Sequence, residues 1–397
     1  MLRIGVFFGS RSPEHDVSIL TGELIIAGLK KLGHQVFPIY LDKQGRWLID
    51  EKLGSLEFFR KSGGKIDPRG LNNFTLDLEK SLGKLVFKKK GFGKKEITID
   101  LAFPSFHGSY GEDGTIQGLF EIFNVPYVGC DVASSAVTMD KILTKQLYEA
   151  AKIPTTKFVF FTKKEWEKDK TPKGRASGSS QILKRIKALK WPLFVKPARL
   201  GSSIGVAKIK TPKELEFAIE VALHYDNRAL VEEAVENLMD LTVCLLGNDD
   251  PIPSLIQDST FEGDLFSYEE KYLKKGGAQL GRAKRSLNIP APIDTKTTKK
   301  IQDMAVSVFK LFGCSGIARV DFLYNKKTRT VYANEINTLP GTLYHHLWRQ
   351  SGVSFNELLT RLIKLAQEKH QAKKEIIYTF ESDILKQAGS SKLKLNF

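Results

Sequence analysis

The run Ala318–Gly341, ARVDFLYNKKTRTVYANEINTLPG, decides how the chain is read. Val320 to Tyr324 reads as a strand carrying an inward acid, Lys326 to Arg329 as a polar connection, and Thr330 to Ala333 as the returning strand, so the segment predicts a hairpin. Asp321 lies on the first strand. Glu335 and Asn337, two residues apart, share one face at the end of the second. Three oxygen donors on neighbouring strands suit a hard cation, and Mg²⁺ takes one or two carboxylates and completes its shell with phosphate oxygens. Arg319, just before the first acid, can face a phosphate or an oxyanion. Pro340-Gly341 then turns the chain and leaves the Gly341 N–H to point into the site. The plainer alternative is a solvated hairpin with scattered charges. The rest of the chain weighs against it.

With 397 residues the chain is too long for one small core, so two or three domains are expected. Its 42% hydrophobic and 27% charged content is that of a soluble globular protein. No apolar run approaches the ~20 residues that span a bilayer. The opening MLRIGVFFGS reads as a buried strand entering a turn, without the small-residue cleavage site of a signal peptide. Cys130, Cys244 and Cys314 are too few and too far apart for a disulfide framework or a metal site, which predicts a reducing cytoplasm. The net charge of +16 invites a nucleic-acid reading. The charge is mostly lysine spread over the chain, and no nucleic-acid-binding motif accompanies it. A lysine-rich surface with a pocket for a polyanionic nucleotide is preferred, with no nucleic-acid partner and no membrane insertion.

Residues 1–130 alternate strands and helices, the pattern of an α/β layer with a parallel sheet. Arg3 to Phe8 is the first strand, GSRSPEHD (9–16) a loop, Val17 to Leu32 a helix closed by Gly33, and Gln35 to Tyr40 the second strand. Ligand loops of such sheets lie at the carboxyl ends of the strands. A helix is expected near Leu53–Lys61 and a basic hairpin over Leu85–Ile99, with no function assigned to either. Leu101 to Phe106 is a buried strand opening into HGSYGEDGTIQGLFE (107–121), where glycines let backbone approach a ligand and Asp113 or Thr115 can cap a helix from Ile116. A histidine such as His107 beside this loop is more often structural than catalytic.

The second half starts a new α/β piece at Ser134, with Asp140 and Lys141 on one helix over 134–151 and a strand over Thr155–Phe161. TPKGRASGSS (171–180) reads as a surface loop. WPLFVKP (191–197) is a strand ending at Lys196, followed by ARLGSSIGVAKI. Backbone N–H groups and hydroxyls of Gly201 to Gly205 can wrap phosphate oxygens that Lys196 neutralises, although an ordinary glycine-rich β-turn has the same residues. Ala229 to Glu233 is a strand ending in acids suited to an adenine amino group and a ribose. A strand over Leu241–Leu246 opens the last domain. FEGDLFSYEEKYLKK (261–275) reads as a lid, Lys299 to Phe312 and Ser354 to Lys369 as helices, and 370–397 as a poorly packed lysine-rich tail.

In this order, GSRSPEHDVS, HGSYGEDGTIQG, KPARLGSSIGV, EEKYL and ARVDF…NEINTLPG resemble the D-alanine–D-alanine ligases of the ATP-grasp superfamily, over roughly residues 1–370. The resemblance implies an α/β fold with three-domain ATP-grasp architecture and an N-terminal parallel-sheet domain. The expected divisions are 1–130 (substrate), 131–236 (central ATP-grasp), 237–370 (C-terminal ATP-grasp with the metal site) and a basic tail, 371–397. It also implies ATP and D-alanine as substrates, two Mg²⁺ per site (with Mn²⁺ able to replace them), a homodimer, and the dipeptide that ends peptidoglycan precursors as product. By matching positions, Glu14 would hold the first D-alanine's ammonium and form a hydrogen-bonded set with Ser202 and Tyr272. Lys141 and Lys196 would meet the α- and β-phosphates, and Lys271 the transferred one. Glu232, Val235 and Asp240 would line the adenine and ribose pocket. Arg319 and the Gly341 N–H would form the oxyanion hole, Asp321, Glu335 and Asn337 would bind metal, and His107 would sit near the first substrate.

Some positions depart from the family pattern. TLYHHLW places His346 where many members carry a serine for the second substrate's carboxylate. Glu233 replaces a frequent lysine, Asp240 is shorter than the usual glutamate, and the 163–190 region is enlarged. Two alternatives follow: the same mechanism with D-serine or another amino acid as second substrate, or a nucleotide-binding relative without catalysis. The full set of phosphate and metal residues argues against the second.

Overall fold

The computed structural model describes residues 1–62, 66–72, 74–90, 95–170, 181–260 and 288–386. The chain begins with β1 (Arg3–Gly9), α1 (His15–Lys31), β2 (Gln35–Leu41) and β3 (Trp47–Ile49), then α2 (Leu56–Lys61), β4 (Phe74–Leu76), β5 (Leu85–Lys89), β6 (Glu96–Ile99), β7 (Leu101–Pro104) and α3 (Thr115–Ile122). Strands β3-β2-β1-β7 form one sheet, in which β1 runs parallel to both β2 and β7. β1 and β7 read as near-continuous apolar runs because both faces of the sheet are covered. One face packs Ile4, Val6 and Phe8 toward α1, and the other sets Phe7 against Phe120 of α3. The expected basic hairpin is β5–β6, which with β4 makes a separate antiparallel sheet.

Next come α4 (Val132–Met139) and α5 (Lys141–Ala150). A single helix over 134–151 is not what forms. Asp140 adopts extended backbone between the two helices and accepts from the Ile142 and Leu143 N–H groups, so it starts α5 as its cap. Then follow β8 (Phe158–Thr162), α6 (Lys163–Asp169), α7 (Gln181–Lys187), β9 (Leu193–Pro197), β10 (Ala207–Ile209), α8 (Pro212–Tyr225) and β11 (Arg228–Glu233). The sheet β10-β9-β11-β8 is antiparallel, and the Gly201–Gly205 loop is the turn between β9 and β10. The strand expected from Thr155 starts only at Phe158, where pairing with β11 begins; just before it the chain is tied to Ala333, whose N–H donates to the Pro154 carbonyl and whose carbonyl accepts from Thr155.

The last part holds β12 (Leu238–Gly247), β13 (Ile252–Pro253), β14 (Gln257–Asp258), α9 (Thr295–Leu311), β15 (Gly316–Asn325), β16 (Thr330–Asn337), α10 (His345–Gln350) and α11 (Phe355–Lys374). The expected hairpin is β15–β16, and β12 pairs along the whole of β15. Strand alternation sorts the side chains. Leu241, Val243, Leu245, Ala318, Val320 and Phe322 bury against Ile301, Ala305, Val308 and Phe309 of α9. Thr242, Arg319, Asp321, Glu335 and Asn337 take the other face. A register shift between Asp321 and Phe322 leaves Asn334 as an extra residue, which is how Ala333 and Ile336 both reach the core.

Helix α11 runs five residues past its expected end. Lys373, assigned to a loose tail, is half-buried and ion-paired with Glu121. Apolar residues of α11 pack on the N-terminal sheet's own cluster, so the C-terminal helix closes against the first domain. Among the described residues no helix is long and apolar enough to cross a membrane.

Candidate active site

The acid-bearing hairpin supplies one wall. Asp321 is the cross-strand partner of Glu335, and Arg319 that of Asn337. The Arg319 Nε donates to both Asp321 oxygens at 3.0 Å and Nη2 to Oδ2 at 2.5 Å, while Glu335 lies 3.8 Å away. Thr242 Oγ1 donates to Asp321 Oδ1 at 2.8 Å, and Asn337 Nδ2 lies 3.4 Å from Oδ2. The guanidinium also sits 5.0 Å over the Tyr344 ring. Burial works against the Arg319 cation, but Asp321 and Tyr344 hold its pKa well above the usual value. Burial alone would raise the Glu335 carboxyl; Lys141, Arg319 and Lys196 outweigh it and keep it ionised. Asp240, on β12, is pushed up to about 7 by burial and by the charges of Asp321 and Glu335.

These residues suit a divalent cation. Two carboxylates and an amide oxygen on one sheet face are hard donors. Among the described residues no three His, Cys, Asp or Glu side chains form a cage.

The second wall is built around a buried acid. Glu232 on β11 is 1% exposed and clasped between two lysines. Lys145 Nζ lies 2.7 Å from Oε2 and Lys196 pairs with Oε1, while Thr156 donates at 2.8 Å. Burial would raise this carboxyl, but Lys145 and Lys196 hold it far below its usual range. Lys145 also donates to Thr155 and Thr156, both at 2.8 Å, and Thr155 donates to the Ala333 carbonyl at 3.0 Å, linking the central sheet to β16. Lys141, at the start of α5, donates to the Leu200 carbonyl at 2.7 Å. Asp240 borders the acid-bearing face, with its N–H donating to Thr260 at 2.9 Å. Val235 is half-buried on the connection from β11 to β12.

The third wall comes from the N-terminal sheet. β1 ends in the loop carrying Glu14, whose carboxylate accepts the Ser202 hydroxyl from the glycine–serine loop of the central sheet. Glycines let the backbones come close at this meeting: a Cβ on Gly108 (φ +75°) or Gly201 would stand 2.8 or 2.7 Å from Glu14 Oε2, which would have to move aside. His15 holds the loop by donating Nδ1–H to the Ser10 carbonyl at 2.6 Å and accepting from Tyr40 at 2.8 Å. Glu14 is raised by burial, and its surroundings include Lys141, Glu335 and Arg319, so all three walls face one space. His107 is buried, and burial together with Arg319 lowers it to about 4, so it is neutral. Asp113 does not cap α3 in the expected way. Gly114, at φ +88°, takes the cap position, and Asp113 accepts from Tyr110 and Thr115 N–H groups.

Beyond β16, Gly341 opens a tight turn, and His346 on α10 lies 2.7 Å through Nε2 from Gln257 Oε1. Tyr272 and Lys271 lie outside the described residues. Three participants went unread in the sequence. Lys145 stands four residues after Lys141, a helical spacing that puts both on one face. Glu112 is pushed up to about 8 by burial and by Glu14, and Tyr344 supplies the ring beneath Arg319. No spacing signal marked these last two.

A first domain whose sheet is parallel except for its antiparallel edge strand β3, with two antiparallel-sheet units that hold lysines and an acid-bearing hairpin between them, is the architecture of an ATP-grasp enzyme. Two family models cover most of the chain: the D-ala D-ala ligase N-terminus over residues 3–130 and the D-ala D-ala ligase C-terminus over 147–364. The D-alanine–D-alanine ligase of Thermosipho melanesiensis is 38% identical, covering 97% of this chain and 99% of the relative. That of Geobacillus thermodenitrificans is 37% identical, covering 96% and 99%. Among solved structures, the D-alanine-D-alanine ligase of Coxiella burnetii superposes with a TM-score of 0.74 at 30% identity, covering 94% of this chain and 96% of that one. The VanG D-Ala:D-Ser ligase of Enterococcus faecalis gives 0.74 at 32%, covering 92% and 99%. The chain belongs to the D-alanine–D-alanine ligase family.

Proposed function

We propose that this protein joins two D-alanines at the expense of ATP. The γ-phosphoryl group passes to the first D-alanine's carboxylate, giving an acyl phosphate and ADP. The amine of the second attacks that carbonyl, and phosphate leaves from the tetrahedral intermediate as D-alanyl-D-alanine forms. The observation that carries this reading is the convergence of three walls: an acid for an ammonium (Glu14), cations for phosphates (Lys141, Lys196) and an arginine beside paired acids (Arg319, Asp321, Glu335). Phosphoryl transfer is mainly positioning and charge stabilisation, which this set supplies.

In this reading Glu14 orients the first amine, with Ser202 fixing its carboxylate. Lys141 and Lys196 hold the phosphate chain. Glu232, held by Lys145 and Lys196, faces the adenine, and Val235 and Asp240 border the base and ribose. Arg319 and the Gly341 N–H stabilise the oxyanion. Asp321, Glu335 and Asn337 would hold Mg²⁺, which when bound neutralises phosphate charge. His346 would meet the second substrate's carboxylate. A D-Ala:D-Ser ligase among similar structures keeps D-serine as a second reading, favoured by the His346–Gln257 pair. We assign the enzyme to the cytoplasm, where ATP is made and its three free cysteines stay reduced, and to a homodimer. Exposed Leu82 and Ile122 on the N-terminal domain support a subunit contact, which sedimentation would test.

The mechanism is tested with D-alanine labelled with ¹⁸O in its carboxylate. An acyl phosphate transfers one labelled oxygen to the released phosphate. Unlabelled phosphate alongside dipeptide would contradict the route.

A further inference from the structure

Thr21 lies on α1, 1% exposed. A helical threonine commonly turns its hydroxyl to the carbonyl four residues back. Here the hydroxyl reaches partners 86 and 321 residues away instead. It meets His107 Nε2 at 2.8 Å, and it accepts from the Thr342 N–H at 3.2 Å. The Leu339 backbone favours the charged imidazole, as a carbonyl acceptor does, so we assign the ring N–H to that side and Nε2 as the bare nitrogen. The bonds therefore run in one sense: Thr342 N–H to Thr21 oxygen, Thr21 O–H to His107, and His107 N–H to the Leu339 carbonyl.

Leu339 and Thr342 flank Pro340–Gly341, so Thr21 and His107 brace that turn from both sides. Glu112 joins them, accepting from the Leu339 backbone and from the Gly108 N–H at 2.7 Å. The turn needs bracing. Thr342, Leu343 and Tyr344 have φ of 51°, 54° and 48°, three successive side-chain-bearing residues in the left-handed region. Such backbone persists only where its surroundings over-determine it. Tyr344 then lies under Arg319, and His346 follows one residue after α10 begins.

We propose that Thr21 is a positioning residue that, through His107 and the Thr342 N–H, holds the Gly341–Tyr344 turn so that the Gly341 N–H and Arg319 meet the reacting carbonyl. The proposal rests on the ligase reading above. It also assigns His107 a bracing role, since both its ring nitrogens serve the protein.

The test compares full-length wild type, Thr21→Val and Thr21→Ser in the D-alanine-dependent reaction, with thermal unfolding in parallel. Valine keeps the shape and removes the hydroxyl, and serine restores it. Thr21→Val should lose about 10- to 100-fold in kcat with KM for ATP unchanged, the size expected from slight misplacement of reacting groups. Thr21→Ser should recover to within about 3-fold of wild type. An unchanged kcat in Thr21→Val would overturn the proposal. So would equal losses in both variants with matching losses of stability. If Thr21→Val does not fold, ¹⁵N-histidine spectra of wild type decide. His107 should be neutral at pH 6 with Nε2 unprotonated, and an Nε2-protonated ring would overturn the brace. If wild type ligates no D-alanine, the ligase reading fails, while the histidine spectra still judge the bonds separately.

Discussion

Arg319 and Asp321 carry the sharpest expectations for single side chains. Asp321→Asn and Glu335→Gln should abolish ATP turnover with the fold retained, since both acids face the site and not the α9 core, and Asp321→Asn should lower the unfolding midpoint by weakening the buried pair with Arg319. Arg319→Ala should lower kcat by about 10²–10³-fold, the usual loss for an oxyanion donor. Near-normal turnover in either acid variant would remove the metal role. The titrating pair Glu112 and His107 gives a pH signature. Glu112 is raised to about 8, so between pH 4.5 and 8 the folded protein holds a proton that the unfolded chain has released, and stability falls as pH rises. His107 is lowered to about 4, so between 4 and 6.5 the unfolded chain binds the extra proton and stability rises with pH. The two oppose one another up to about 6.5. From there to 8 Glu112 still acts, joined up to about 7 by the raised Asp240, and urea unfolding should show stability declining as pH rises. Glu112→Gln should flatten that decline.

Among the elements, the hairpin was the most legible, because its alternation and its acids share one face. The bulge at Asn334 was not legible, since an extra residue leaves no mark on an apolar–polar pattern. The break between α4 and α5 was missed for a different reason. Asp140 followed by Lys141 reads as helix-compatible, and only its extended backbone makes it a cap. Asp140→Ala should cost about 1–2 kcal/mol as a lost cap. It also strands Arg228, its ion-pair partner. Because the cap sets where Lys141 starts, KM for ATP should rise more than KM for D-alanine, and an unchanged ATP KM would detach Lys141 from the nucleotide. Glu232 was read as an acid at a strand end suited to an adenine amino group and a ribose. Its two lysines come from another strand and a helix, which no local window joins. Thr21 looked like part of an amphipathic helix for the same reason, since its partners come from distant parts of the chain.

For the whole molecule, the candidate site lies where three sheets meet, with Glu14 of the first bonded to Ser202 of the second and α11 packed on the first. Ligand binding should therefore stabilise the entire chain. A nonhydrolysable ATP analogue with Mg²⁺ at about 100 times its Kd should add about 2.7 kcal/mol of apparent stability. Asp321→Asn should show a clearly smaller shift at the same concentrations, and an equal shift would mean that nucleotide binding does not use that acid. The family was legible because its motifs recur in order along most of the chain, whereas the second substrate, for which His346 is proposed, has no such run of motifs behind it. His346→Ser should change the KM of the second substrate and its pH dependence. The most direct measurement is phosphate release from ATP and Mg²⁺ with D-alanine alone, with the product identified by mass. We expect one phosphate for each D-alanyl-D-alanine formed. Phosphate release only when D-alanine is mixed with D-serine or another acceptor, or no release at all despite ATP binding, would contradict the assignment.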